Sequence, residues 1–169
     1  MLTAAPKGWL SRDYEVRDAS AQRVGDIRFA LWQARGTIWV GDEDRVCRVS
    51  RRGVFFGPIL LTGPVGKTAQ ATKLSAFTRA FAIEHGGRLF ILRSPSVWFR
   101  EMRLVENDHE IGNAVPEGVF SRRAQFDLPE SLPLELQLFI VWLAYFVWRR
   151  WQDSSVSFSG VLQTESRRG

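Results

Sequence analysis

The segment SLPLELQLFIVWLAYFVWRRW, Ser131 to Trp151, decides the fold of this chain. It carries the marks of one helix over 132–151: Ser131 as a cap, Pro133 in the first turn, Glu135 at the positive end of the macrodipole, Arg149 and Arg150 at the negative end. From Leu138 to Trp148 every residue is apolar or aromatic. A helix without a polar face must be enclosed on all sides, by lipid or by protein. The uninterrupted apolar run is 11 residues, which at about 1.5 Å per residue covers roughly half of a hydrocarbon layer about 30 Å thick. Lengthening it takes in Pro133, Glu135 and Gln137, and a carboxylate within lipid is costly. Burial in a protein shell is the favoured reading, with Leu138, Phe139, Val141, Trp142, Tyr145 and Phe146 as the core-facing helix. A tail-anchored protein with 132–151 in the bilayer is the alternative.

Working outward, 169 residues with 45% hydrophobic and 12% aromatic content suit one domain with a substantial core. The 23 Lys and Arg against 18 Asp and Glu give a formal charge of +5, carried mainly by arginine. Such a surplus suits anionic partners, although it is also ordinary for solubility. A single cysteine, Cys47, excludes an internal disulfide framework and cysteine-based zinc sites. The N-terminal residues form no continuous apolar stretch of the secretory kind, so a cytoplasmic protein is expected.

Ahead of the helix, short apolar segments alternate with turn signals. Residues 1–8 read as a flexible arm. Tyr14 and Val16 alternate with charged neighbours, Ala19 to Arg23 forms a turn, and Val24 to Leu31 resumes the alternation. Ile38 to Val40 and Val46 to Val49 flank the acidic turn Gly41-Asp42-Glu43-Asp44. Val54 to Leu61 reads as a strand covered on both faces, and 62–76 as an excursion loop with at most one short strand. Phe77 to Ile83, a His85-Gly86-Gly87 turn and Leu89 to Leu92 make the clearest hairpin. Val97 to Val105, Ile111 to Val115 and Phe120 to Phe126 follow, before a polar tail over 153–169. About twelve strands and then one greasy helix predict a mainly β protein: a closed antiparallel barrel whose wide lumen is filled by the C-terminal helix. Phe29, Phe81, Phe99, Phe120 and Phe126 are the expected barrel-side partners. The pattern at Val16-Arg17-Asp18 through Val24-Gly25 returns at Leu104-Val105-Glu106 through Ile111-Gly112, as in equivalent hairpins.

The YxVxD start at Tyr14 to Asp18 with Val24-Gly25, the Glu110-Ile111-Gly112 turn, the strand FSRRAQFDLPE from Phe120 to Glu130 and the helix behind it resemble the tubby C-terminal-like superfamily. That superfamily includes tubby, phospholipid scramblases and plant LURP-one-related proteins, and the resemblance covers about residues 9–152. It implies a twelve-stranded barrel threaded by a C-terminal hydrophobic helix, and a non-enzymatic role at a membrane surface. The phosphoinositide-binding cations of tubby and the calcium segment of scramblases have no residue-by-residue counterpart here.

Other chemistry is weakly signalled. Leu60 to Thr68 imitates a phosphate-binding loop, but Gly63 and Gly66 are separated by two residues where four are needed. His85 and His109 lack neighbouring ligands at metal spacing, and Cys47 lies in a strand as a structural thiol. Asp42, Glu43 and Asp44 lack the spacing of a calcium loop. No catalytic constellation, cofactor or metal is expected, and nucleic acid is a disfavoured partner. The candidate site is basic: Arg45, Arg48, Arg51, Arg52, Arg122 and Arg123, as a face for anionic phospholipid or a protein partner at the inner membrane surface.

Overall fold

Strand alternation in the sequence becomes twelve strands in the computed structural model, which describes residues 1–8, 11–30, 34–41, 45–53, 57–75, 78–96, 100–118 and 121–161, the last eleven for the backbone only. In chain order these are β1 (Leu2–Pro6), β2 (Asp13–Arg17), β3 (Arg23–Phe29), β4 (Gly36–Val40), β5 (Arg45–Arg51) and β6 (Ile59–Gly63). Then come β7 (Gly66–Lys73), β8 (Ala80–His85), β9 (Arg88–Arg93), β10 (Met102–Glu106), β11 (His109–Pro116) and β12 (Ala124–Asp127), followed by α1 (Leu134–Val161). Every strand pairs antiparallel with its chain neighbours, and β1 pairs with β12, closing the barrel. Closure leaves no sheet edge to recruit another chain.

The inward face is one residue in two along each strand. Tyr14, Val16, Ile27, Phe29, Ile38, Cys47, Leu61, Phe81, Ile83, Phe90, Leu104 and Phe126 are all buried. Twelve strands make a lumen too wide for side chains alone, and α1 fills it. Leu138 to Ala144 are fully enclosed, Tyr145 and Trp148 nearly so, and Phe146 is half-buried against the same core. The sequence therefore leaves the greasy helix to protein and not to lipid. Among the described residues no helix is long and apolar enough to cross a membrane. The helix leans on β3 and β4, and glycine makes this approach possible. A Cβ on Gly25 would stand 2.7 Å from Leu138 Cδ1 and press on the Trp39 carbonyl oxygen, and one on Gly36 would collide with Trp142 Nε1. Opposite, larger residues such as Phe90, Met102 and Phe126 take up the space.

Several expectations are corrected. Residues 1–8 are not an arm: β1 pairs Leu2 with Phe126 and Ala4 with Val16, burying both Leu2 and Ala4. The stretch 62–76 is not an excursion loop, because Gly63 and Gly66 close a two-residue turn into the eight-residue strand β7. That strand hid behind small inward residues, Ala69 and Ala71, which carry little hydrophobic signal. Residues 54–56 of the expected Val54 to Leu61 strand lie outside the described residues, and β6 starts at Ile59. The helix starts at Leu134, with Pro133 offering its carbonyl to the Leu136 and Gln137 amides, so Ser131 is not the cap. It also continues past Trp151 to Val161, into what reads as tail. Phe29, Phe81 and Phe126 face the core as expected, whereas Phe99, Phe120 and the acidic turn 42–44 lie outside the described residues.

The two hairpins of the internal repeat are equivalent in geometry. A register shift falls between Val16 and Arg17 in one and between Leu104 and Val105 in the other. Gly25 and Gly112, one in each, both sit against backbone too closely for a side chain. The Gly86-Gly87 turn has both residues at positive φ, 55° and 77°, which fits the two-residue loop joining β8 and β9.

Candidate functional site: a cationic mouth

The meander sends each connection from an odd strand to the next even strand to one end of the barrel, and every other connection to the opposite end. Helix α1 begins at the second end, where Glu135 lies 3.5 Å from Arg45, and leaves through the first, where Arg149 stacks over Phe29. We call these ends the floor and the mouth.

Charge segregates between them. The floor connections, residues 18–22, 41–44, 64–65, 86–87, 107–108 and 128–133, contain the carboxylates Asp18, Asp42, Glu43, Asp44, Asp108 and Glu130, and no Lys or Arg. The mouth connections contain Arg12, Arg35, Arg52, Arg79, Arg100, Arg122, Arg123 and Lys7 against Glu101 and Glu117. Arg51, Lys73 and Arg93 add to the mouth from strand ends, and Arg149 and Arg150 from α1, while Arg17, Arg23, Arg45, Lys67 and Arg88 stand at or next to strand ends at the floor. Some of this charge is answered locally. Lys7, and Arg23 from the floor end of β3, hold the buried Asp26 carboxylate at 2.7 and 2.6 Å, Arg28 makes a two-pronged bond to Asp13, and Arg103 lies against Glu101 and Glu110.

Beneath the mouth two groups of aromatic rings form the top of the core. In one, Trp142 stacks between Phe29 (5.0 Å between centroids) and Phe146 (5.2 Å). Above it Arg149 lies over Phe29, and both Arg51 and Arg150 lie over Phe146. In the other, Tyr145 packs against Tyr14, Phe126 and Trp148. Arg100 lies 5.4 Å from Trp148 and Arg122 5.4 Å from Tyr14. Guanidiniums thus roof the apolar core, each held over a ring face by cation–π attraction. The Tyr145 hydroxyl donates between the carbonyls of Arg122 (2.9 Å) and Ala4 (3.1 Å), tying the helix to both sides of the β1–β12 seam. Burial drives its pKa well above the ordinary phenol range, so it remains a donor. Arg122 further donates to the Ser11 carbonyl and the Tyr14 hydroxyl.

The roof is electrostatically loaded. Burial lowers the pKa of Arg51, and Arg150 lowers it further. Lys73 is lowered by burial and then by Arg150 and Arg51. Arg79 and Arg100 are lowered by burial. The mutual effect of Arg51, Lys73 and Arg150 places cations from β5, β7 and α1 within reach of one another's field.

The six arginines singled out by sequence divide. Arg51 and Arg52 reach the mouth on one side and Arg122 and Arg123 on the other, five strands apart around the ring. Arg45 lies at the floor with Glu135, and Arg48 points outward midway along β5. They make no single lateral face. Sequence reasoning passed over Arg12 and Arg35 and read Arg79 and Arg100 as strand residues of a possible basic face, whereas each stands at or next to the start of an even strand. Their common position is visible only once the strands are counted.

The other candidates have plain settings. Cys47 faces the core, and burial raises its pKa. The Nδ1 atoms of His85 and His109 bond to the Thr68 and Asn107 carbonyls. Lys67, in the segment that imitates a phosphate loop, bonds to Gln70 at the start of β7. Among the described residues no three His, Cys, Asp or Glu side chains gather as a metal site. Compared with known proteins, the chain matches no family, no curated protein and no solved structure.

Proposed function

We propose that this chain is a non-enzymatic, tubby-like barrel that binds anionic phospholipid at a membrane surface through its mouth. The reading of the family rests on the closed twelve-stranded meander threaded by a C-terminal apolar helix together with the sequence resemblance. The reading of the ligand rests on the segregation of charge between mouth and floor. A protein with an excess of cations at one end and of carboxylates at the other orients in the field of an acidic surface. Its mouth is drawn in and its floor repelled.

Arg35, Arg52 and Arg123 are exposed at the mouth and, among the described residues, belong to none of the ring contacts that roof the core. Each cation near an acidic bilayer contributes about 1 kcal/mol, so R35Q/R52Q/R123Q is expected to weaken binding about a hundredfold. Flotation with phosphatidylcholine vesicles, with and without phosphatidylserine, at low and high salt measures it. Wild-type protein should float only with the acidic vesicles and less in high salt, and the triple variant should remain at the bottom. Wild-type protein that never floats ends the lipid reading and leaves a protein partner for the mouth.

A further inference from the structure

The internal repeat has a third member, and the three divide the barrel evenly. Register shifts fall between Val16 and Arg17 in β2, between Leu61 and Thr62 in β6, and between Leu104 and Val105 in β10, so every fourth strand carries one. The residue paired with the last position before each shift is small: Gly25, Ala69 and Gly112. Two strands further on, an arginine followed by a small residue leads into β4, β8 and β12, as Arg35-Gly36, Arg79-Ala80 and Arg123-Ala124. Strands β5 and β9 then begin alike, with Arg45-Val46 and Arg88-Leu89. The barrel is thus three four-stranded units: β2 to β5, β6 to β9, and a third that starts with β10, β11 and β12.

In the third unit the chain does not turn back after β12. It runs through 128–133 into α1, and the fourth place, between β12 and β2, is filled by β1 from the other end of the chain. β1 brings little apolar surface to it. Where β5 buries Cys47 and Val49 and β9 buries Phe90 and Leu92, β1 buries Leu2 and Ala4. It meets β12 over three residue pairs and β2 over four. Those pairings are main-chain bonds, which a strand from another chain supplies equally well. Two side-chain ties add to them, the Tyr145 hydroxyl on the Ala4 carbonyl at 3.1 Å and Lys7 on Asp26 at 2.7 Å. When β1 departs, β12 stays paired with β11 and β2 with β3.

We infer that β1 is an exchangeable closing strand, and that two copies of this chain trade it, each barrel being completed by the β1 of the other. Exchange replaces every contact of β1 by the identical contact on the partner copy, so it yields a closed, symmetric dimer. The new element is the course of residues 7–12, which lead from β1 to β2 and cross between the barrels in the dimer. The tether keeps a chain's own β1 at a high effective concentration, so exchange belongs to chains that fold in concentrated solution. It does not depend on what the mouth binds.

The test uses Thr3 and Gln125, register partners across β1 and β12 whose strand neighbours Leu2, Ala4, Ala124 and Phe126 take the inward positions. In a C47A background, T3C chains and Q125C chains are unfolded in urea, mixed, refolded together at micromolar and at millimolar concentration, and oxidised. Exchange sets position 3 of one chain against position 125 of the other. At millimolar concentration the mixed disulfide should therefore be several-fold more abundant than the two like disulfides together, which random collision would only match, and size exclusion should show a dimer. At micromolar concentration both signals should fall away. The double variant T3C/Q125C, refolded dilute, should close its disulfide within one chain and elute as a monomer, which checks that the seam survives both substitutions. A mixed disulfide no more abundant than the like ones, or a monomer alone at millimolar concentration, overturns exchange. A double variant that fails to close within one chain overturns it as well, since β1 would not then lie where exchange requires.

Discussion

Replacing Trp142 by alanine tests the placement of the helix most directly. Its indole is wholly enclosed, stacked at 18° on Phe29 and at 10° on Phe146. Truncating a buried tryptophan to alanine costs about 3–5 kcal/mol through lost transfer energy and the cavity left behind. Each aromatic pair lost adds about 0.5–1.5 kcal/mol. A loss near 5 kcal/mol is large against the roughly 5–15 kcal/mol by which native domains are stable. With a urea slope of about 1–3 kcal/mol per molar, the unfolding midpoint should fall by about 2 M. Trp142→Phe is the informative control. It removes an indole N–H that is buried without a hydrogen-bond partner, which offsets part of the lost volume, so its midpoint should fall much less. Equilibrium unfolding followed by circular dichroism reads both. A Trp142→Ala midpoint within about 0.5 M of wild type would mean that the helix is not the core of the barrel. A helix belonging to the bilayer would give that result, because the β domain would then unfold without reference to it.

Two other perturbations follow from the same packing. Gly25→Ala sets a methyl group against the Trp39 carbonyl and 2.7 Å from Leu138 Cδ1; since neither the backbone nor the enclosed helix can yield freely, it should destabilise by about 1–3 kcal/mol in the same urea experiment. Ending the chain after Arg150 retains every described helical side chain in the core, the last being Trp148, and should lower the helical signal in the far ultraviolet while leaving the midpoint close to wild type, whereas ending it before Ser131 should abolish cooperative folding.

What the sequence disclosed depended on how strongly each residue signals its place. An unbroken run from Leu138 to Trp148 permits only burial, and the strand count left a lumen that something had to fill, so barrel and helix were legible together. The strands that escaped notice were those whose inward residues are small. Ala4 in β1 and Ala69 and Ala71 in β7 are buried, yet an alternation of alanine with polar residues differs little from a polar loop. Strand β1 has a further handicap. It is held by pairing with β2 and with β12, and the second partner is distant in the chain, so no local pattern announces it. The mouth was hidden for another reason. Alternation tells whether a residue faces in or out, but not at which end of a strand it lies. Arg45 and Arg51 share one strand and sit at opposite ends of the barrel, a fact fixed by the parity of the strand count and by the direction of α1.

The distribution of charge also bears on why the mouth is built as it is. The C-terminal end of a helix is its negative end, and cations in the last turns answer it; Arg149 and Arg150 suffice for that. The arginines at the starts of β2, β4, β8, β10 and β12 have no such duty, and crowding has a cost. Burial and neighbouring cations hold Arg51 and Lys73 below their ordinary pKa ranges, so the folded state disfavours their charged forms. The floor shows that the architecture does not require this. There Arg88 bonds bidentately to Glu106, and the pair raises one pKa and lowers the other, so both charges are favoured. Ion pairs occur at both ends, Arg88 with Glu106 at the floor and Arg28 with Asp13 at the mouth, but the mouth in addition gathers guanidiniums over aromatic rings. The proposed acidic membrane surface, which supplies anions in a plane and an apolar layer behind them, would suit such a gathering of cations.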